Sequence, residues 1–547
     1  MADTPVFNNV NFTGEGTFLD PQSAKTGLAI CLTAYTVYGL VALAIAVFQP
    51  HKNNKDAHFF ITARNSQSLL FQIGSWFASA MGAWTLYGPA SLVSDPSYGT
   101  GIIGLLVYSI GTGAPLVMLA YMGASVRANV PQATSVGSYA EFRFGKVAQL
   151  FVLLIVLITL SLNLMTEYIA IAGIFQTFFG CSPYVPLITV GIITMIYTSV
   201  GGLYVSIRTD FLQTIVVLVL TLGTVIYLGV TYAGHPLGPL PGYLGATSLG
   251  WQTLATLMIP FICGTFYGEG FWQRIWSAED NKALKLGAWI GGGLASVVVF
   301  ILGFGGILAY WSGRASADSL SPTNSNYAFF YAFADPASGS INTAVIVIIL
   351  LFATIMDESA VDNFQNAIGD TLATVCIFFG LNLNLLFVRI LVLVANIPLM
   401  IGAAYLAANN VSILNAFGLT NMLVTLTFAP LAAGLIPALN NYLTAFSALA
   451  SCLLAFISST VYAREQYGDI YTGMTALWWT SSYDYIAFLV AFFSSIAAIP
   501  ICIIVEMTVR KMAGWPMVRF DPSYLREKEP KGDPVDAVGV ALVKRLV

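Results

Sequence analysis

Charge is what this 547-residue sequence has least of: Asp, Glu, Lys and Arg together make up 9% of it, against about a quarter in an ordinary soluble domain. So little polar surface cannot cover a water-facing globule of this size. The six cysteines form no CxxC or other ligand spacing, which leaves a disulfide framework or a zinc site without support. His51, His58 and His235 all fall outside the apolar segments, so no histidine relay crosses them. No GxxxxGK(S/T) stretch occurs, which argues against an ATP-driven pump within this chain. A formal charge of −4 supplies no basic field, which argues against a nucleic-acid partner. No nucleophile–base pair or metal set points to an enzyme, and no obligate protein partner is evident.

What is abundant is apolar: 57% of the residues are hydrophobic and 13% aromatic. The chain therefore reads as an all-α integral membrane protein in a lipid bilayer. A stretch of roughly 20 apolar residues crosses a bilayer as a helix, and thirteen such spans are predicted. They cover 26–48, 69–93, 101–123, 147–179, 184–200, 211–233, 251–271, 286–311, 341–368, 385–407, 411–435, 437–462 and 485–509. Alternating the connections puts nineteen of the 22 Lys and Arg residues on one side, with Lys25, Arg314 and Arg464 opposite. The positive-inside rule then places the N-terminus outside and the C-terminus in the cytosol; the plasma membrane is the expected setting. Segment 1–25 is polar and acidic, unlike a signal peptide, and carries an Asn11-Phe-Thr13 sequon on the predicted outer side.

Two of the spans are interrupted. The second contains Gly82-Ala-Trp-Thr-Leu-Tyr-Gly88-Pro89; the seventh contains Pro260 and then Gly264-Thr-Phe-Tyr-Gly268-Glu269-Gly270. Glycine often serves only to pack membrane helices closely. These two breaks, however, are five spans apart, as a five-plus-five inverted repeat requires, and such repeats bind ligand where their first helices break. Trp84, Tyr87, Phe266 and Tyr267 flank the breaks, where flat rings could stack on a planar amide or cover a cation.

The few acids at depth stand out further, since a charge inside a bilayer costs several kcal/mol and usually marks a site. The ninth span reads Ile355-Met-Asp357-Glu358-Ser359-Ala-Val-Asp362-Asn363. Counted from residue 341, Asp357 lies about 24 Å along the helix, near the bilayer centre. Glu358 and Asp362 share a face, with Asp357 turned about 100° away. Glu167 lies in the fourth span and Glu269 in the second break. Arg208, Arg274 and Arg389 are assigned to the cytoplasmic rim, which leaves these acids without a basic partner. They must then bind a cation, take up protons, or serve as protonated structural hydrogen bonders.

Three stretches resemble the sodium/solute symporter family. Gly201-Gly-Leu-Tyr-Val-Ser-Ile-Arg-Thr209-Asp210-Phe-Leu-Gln213 looks like its GG…TDxxQ signature. Gly264-Thr-Phe-Tyr-Gly-Glu-Gly-Phe271-Trp272-Gln273-Arg274 looks like its sixth core helix running into a WQR turn, in the form most similar to the urea and polyamine transporter branch. Ala78-Ser-Ala-Met81-Gly-Ala-Trp84 resembles the first core helix. The resemblance covers about 69–435 and extends more loosely to 509. It implies a broken-helix inverted-repeat core with alternating access over 69–435. A peripheral helix (26–48) precedes that core, further peripheral helices (436–509) follow it, and a cytosolic tail (510–547) ends the chain.

By resemblance, a coupling sodium would be held by backbone carbonyls of Ala78, Met81 and Thr354 and by two hydroxyl side chains of the eighth core helix. Here those two positions fall on Asp357 and Glu358, a departure that could turn a sodium site into a proton site. Asp362 falls where the urea branch carries a glutamate, Ala80 where some sodium-coupled relatives carry an aspartate, and Asp210 matches the family's acid on the cytoplasmic ion path. The expected function is a secondary transporter importing a small polar solute, urea or a related amide or amine such as a polyamine. Protons or sodium would drive it, and no other cofactor is expected. Trp84, Tyr87, Glu167, Phe266, Tyr267 and Glu269 form the expected pocket; Asp357, Glu358, Asp362 and Asp210 the coupling acids. The alternatives are a transport-inactive nutrient sensor and an uncoupled facilitator of the same fold.

Overall fold

The computed structural model describes residues 19–48, 57–94, 98–234, 237–315, 327–334, 341–381, 383–409, 413–480, 484–516 and 520. The Asn11 sequon and the tail beyond Phe520 lie outside them. In chain order the helices are α1 (Pro21–Phe48), α2 (Ala57–Thr62), α3 (Leu69–Ser79), α4 (Gly88–Ser94), α5 (Gly101–Asn129), α6 (Val136–Phe144), α7 (Lys146–Phe179) and α8 (Tyr184–Tyr232). Then come α9 (Ser248–Thr253), α10 (Ile259–Tyr267), α11 (Glu269–Ser277), α12 (Asn281–Trp311), α13 (Ala328–Tyr331) and α14 (Thr343–Phe378). The last are α15 (Leu385–Ala408), α16 (Ile413–Ala432), α17 (Ala445–Tyr467), α18 (Ile470–Thr475) and α19 (Tyr485–Ala513). The described residues contain isolated bridges but no named strand. Helices satisfy their own backbone groups, the requirement lipid imposes.

Eleven helical stretches among the described residues are long and apolar enough to cross a membrane. The predicted spans map onto helices, but not one to one. Span 69–93 is α3, a 3-10 turn over Ala83–Leu86, and α4. Spans 184–200 and 211–233 are the two arms of α8, which bends at Gly202 (φ 58°, ψ −161°). A Cβ there would stand 2.5 Å from the Phe60 carbonyl oxygen, so both the conformation and the approach require glycine. Span 251–271 ends at Gly268, where the chain leaves α10 and restarts as α11.

Several predicted boundaries shift; span 437–462, for one, is α17 at Ala445–Tyr467. Helix α1 starts at Pro21 rather than 26, because Asp20 accepts the amides of Gln22 and Ser23 at 3.0 and 3.1 Å and proline suits the first helical position. Helix α14 runs from Thr343 to Phe378 rather than 341 to 368, so Asp357–Asp362 fall at its middle and Asp370 is drawn into it. Helix α14 packs on α1, α7, α8, α11 and α15. Its acids therefore sit inside the bundle, away from lipid.

Candidate functional site

At the first break, α3 stops at Ser79 and leaves amides without helical partners. Glu167 of α7 supplies the acceptor: its Oε2 takes the Ala83 amide at 3.0 Å. Gly82 makes this approach possible, since a Cβ there would lie 2.7 Å from the Glu167 carboxyl carbon. Beside the turn the Trp84 ring stacks on Tyr108 of α5 at 5.7 Å, and Tyr108 meets Phe261 of α10 edge-on at 5.4 Å. This ring series links the two broken segments.

The second break is held differently. The indole Nε1 of Trp272 donates to the Phe266 carbonyl at 2.7 Å, and the Phe271 amide to the Gly268 carbonyl at 2.8 Å. Phe266 packs edge-on against Tyr267, Trp272 and Phe428, and the Tyr267 hydroxyl donates to Thr427 of α16 at 2.8 Å. The six expected pocket residues thus divide. Trp84, Tyr87 and Glu167 belong to the first break, whereas Phe266 and Tyr267 join the rings around α16. Glu269 turns elsewhere: its Oε2 takes the Val136 amide at the start of α6 at 3.0 Å.

Three of the expected coupling acids, Asp357, Glu358 and Asp362, form a buried row along α14. Asp357 Oδ2 accepts the Tyr35 hydroxyl of α1 at 2.8 Å, while its Oδ1 has no partner among the described residues. Glu358 is fully buried, and neither of its oxygens has a hydrogen-bond partner among the described residues. Asp362 Oδ1 accepts Thr198 of α8 at 2.7 Å and Asn366 at 2.8 Å. Nearby, the Ala78 carbonyl accepts the Met81 amide at 3.1 Å, and the Thr354 hydroxyl donates to the Leu350 carbonyl at 2.8 Å.

Asp210 differs from these, and here an expectation fails. Arg274 is not a rim residue: it is fully buried, and its Nη2 lies 2.9 Å from Asp210 Oδ2. Ser75 and Ser359 also donate to Asp210, at 2.8 and 3.0 Å, and Arg274 Nη2 further bonds Asn363 Oδ1. The physical reason is that the WQR stretch is not a surface turn. It belongs to α11, whose Trp272, Gln273, Arg274 and Trp276 all face inward. The deep acids are therefore not all without a basic partner.

Residues 59–235 match the family model described as "Sodium:solute symporter family". The resemblance read from the sequence holds. It extends to the urea and polyamine transporter branch. The match takes in the first break, Glu167 and the bend leading to Asp210. The chain is 27% identical over 475 residues to the spermidine transporter DUR31 of Candida albicans, covering 84% of this chain and 85% of that one. It is 24% identical over 305 residues to the urea active transporter of Saccharomyces cerevisiae, covering 51% of this chain and 40% of the yeast protein.

Among solved structures, a Na+-coupled sialic acid symporter in its substrate-bound outward-open state superposes with a TM-score of 0.62 at 15% identity, over 88% of this chain and 98% of that one. Mhp1, a nucleobase-cation-symport-1 family transporter, gives 0.52 at 15% identity, over 87% and 99%. These likenesses show the fold, an all-helical core built from inverted repeats. They are to transporters and not to enzymes.

Sequence reasoning missed several partners. Tyr35 comes from the helix assigned to the periphery, which packs on both α8 and α14. Its signal was present: Cys31, Tyr35, Gly39 and Ala42 recur at helical spacing along one buried face of α1. Asp370 lay beyond the predicted end of the ninth span; it is buried and accepts Gln273 Nε2 at 3.3 Å.

Proposed function

We propose that this chain is a secondary active transporter that imports a small polar amine or amide, of the polyamine or urea kind, and that a proton is the coupling ion. The observation that carries this reading is Glu358, a fully buried carboxyl with no donor among the described residues, one position from Asp357 with its own open oxygen. An uncompensated carboxylate in such a place costs several kcal/mol, so it holds a proton or a cation for part of any cycle. That these acids replace the hydroxyls of a sodium site favours the proton.

The solute would enter between the two breaks, against Trp84, Tyr87 and Glu167 on one side and Phe266 and Tyr267 on the other. Glu269 would stand below that pocket. Closing around solute is favoured when the Asp357–Glu358 pair is already neutralised, which is coupling in the thermodynamic sense. Asp362, next along the row, would pass the proton toward the cytosol, while Asp210, paired with Arg274, would hold the neighbouring helices in place. The basic-residue asymmetry supports an outside N-terminus, and the chain would work in the plasma membrane. The breadth of similarity to a spermidine transporter supports the amine.

The deciding experiment is uptake of labelled spermidine and labelled urea in a cell lacking its own transporters, with pH and sodium varied independently. The expected result is accumulation that rises in acid medium, ignores sodium and collapses with a protonophore. Unchanged pH dependence in both Asp357→Asn and Glu358→Gln would overturn the proton site. Entry that never exceeds equilibrium would identify a facilitator, and signalling without entry a sensor.

A further inference from the structure

A cleft of about 320 Å³ opens far from the acid row, where the end of α6 meets the start of α17 and the last turn of α19. Arg143 and Arg510 line it, together with Phe144, Thr444, Phe446 and Phe520. Arg143 is only 6% exposed. Its Nε donates to the Gly434 carbonyl at 2.9 Å and its Nη1 to the Leu443 carbonyl at 3.2 Å. The guanidinium lies between the rings of Phe144 and Phe520, 4.7 and 4.6 Å from their centroids. Its Nη2 is buried without an acceptor, and no carboxylate pairs with it among the described residues.

Arg510 has a carboxylate: its Nε donates to Glu506 Oε1 at 2.8 Å, and its Nη1 to the Pro516 carbonyl at 3.1 Å. The other Glu506 oxygen accepts the Thr444 hydroxyl at 2.6 Å. Two guanidinium groups thus face one carboxylate, an excess of one positive charge in a largely apolar cleft. A buried guanidinium without a counter-ion is costly, and its planar fork matches the oxygens of a phosphate. The lip of the cleft is apolar and open. Phe446 is 64% exposed on the first turn of α17, and both α17 and α19 have the length and composition of membrane spans. An occupant must therefore be anionic at one end and greasy at the other.

We propose that this cleft binds the phosphate headgroup of an acidic phospholipid, with Arg143 and Arg510 on the phosphate and an acyl chain along Phe446. Basic pockets between membrane helices on the cytosolic side suit such headgroups. The cleft lies at the end of the bundle that the basic residues place in the cytosol. A bound headgroup would brace α6 against α17 and α19.

The test uses the purified full-length chain in detergent. Binding and thermal midpoint are followed on titration with phosphatidylinositol 4-phosphate, phosphatidylserine, phosphatidylcholine or inorganic phosphate. The acidic lipids are expected to bind and raise the midpoint, and phosphatidylcholine to leave it unchanged. Arg510→Gln should weaken the acidic lipids about tenfold, or about 1.4 kcal/mol. Arg464→Gln, an exposed arginine elsewhere, should not. Arg143→Gln should weaken binding at least as much; should that variant fail to fold because two carbonyls lose their donor, Arg510→Gln decides. Acidic-lipid binding equal in Arg510→Gln and wild type would overturn the proposal. A midpoint shift from inorganic phosphate as large as that from the lipids would overturn the lipid as the occupant.

Discussion

Asp210 and Glu358 are both fully buried acids of one neighbourhood, joined through Ser359, yet their surroundings are opposite. Asp210 receives two serine hydroxyls and a guanidinium; Glu358 receives no hydrogen bond among the described residues. Burial is the same for both, so burial does not separate an anchored acid from an open one. The supply of donors does. A carboxylate saturated with fixed donors stays ionised and holds helices together, here α3, α8, α11 and α14. One without donors must either bind a cation or take up a proton and become neutral. The two breaks make a parallel contrast, the first held by the Glu167 carboxylate and the second by the Trp272 indole, although both open a repeat of the same fold.

The comparison can be broken most forcefully at Arg274. Arg274→Met leaves Asp210 buried and uncompensated, and should cost about 3–5 kcal/mol. The expected sign is loss of monodisperse protein or a steep fall in thermal midpoint, with much of it recovered in Arg274→Met/Asp210→Asn. A single variant as stable as wild type would show that Asp210 is not anchored as described. Gly82→Ala comes next, because its methyl would displace the Glu167 carboxylate from the first break. Overpacking of this kind costs about 1–3 kcal/mol; uptake should fall more than tenfold while the protein still folds, and Gly264→Ala, where a Cβ meets nothing closer than 3.8 Å, should leave folding and transport near wild type.

Tyr35→Phe removes the hydroxyl that, among the described residues, bonds Asp357, at a cost of about 1 kcal/mol, read as a small midpoint shift with an altered pH profile of uptake. Glu358→Gln should have the smallest effect on stability, within about 0.5 kcal/mol of wild type or on the stabilising side. An amide of the same shape no longer carries the cost of a buried charge. Its pH dependence of uptake should nevertheless vanish. A strongly destabilised Glu358→Gln would place Glu358 beside Asp210 among the structural acids and erase the contrast.

Much of this was legible in the sequence. Scarce charge named the solvent, because a chain that cannot cover itself with polar groups must lie in lipid. The matched glycine breaks, five spans apart, pointed to the repeat that the superpositions show, and acids at mid-span pointed to α14. What could not be read was who meets whom. The WQR stretch looks like a polar turn because its sequence is mixed, but α11 packs all of its polar face inward. Residue spacing reports one helix's own face; it carries no record of the helix opposite.

The same limit explains α1. Its composition suits a lipid-facing helix, and most of it faces outward, yet Tyr35 reaches Asp357 across 322 residues of chain. The sequence by itself determined the medium, the approximate spans and which acids are too costly to bury idly, because transfer energies and helical periodicity are local properties. Only the tertiary structure decided which of those acids are neutralised by Arg274 and which are left open, because a buried charge's fate depends on donors contributed by other helices.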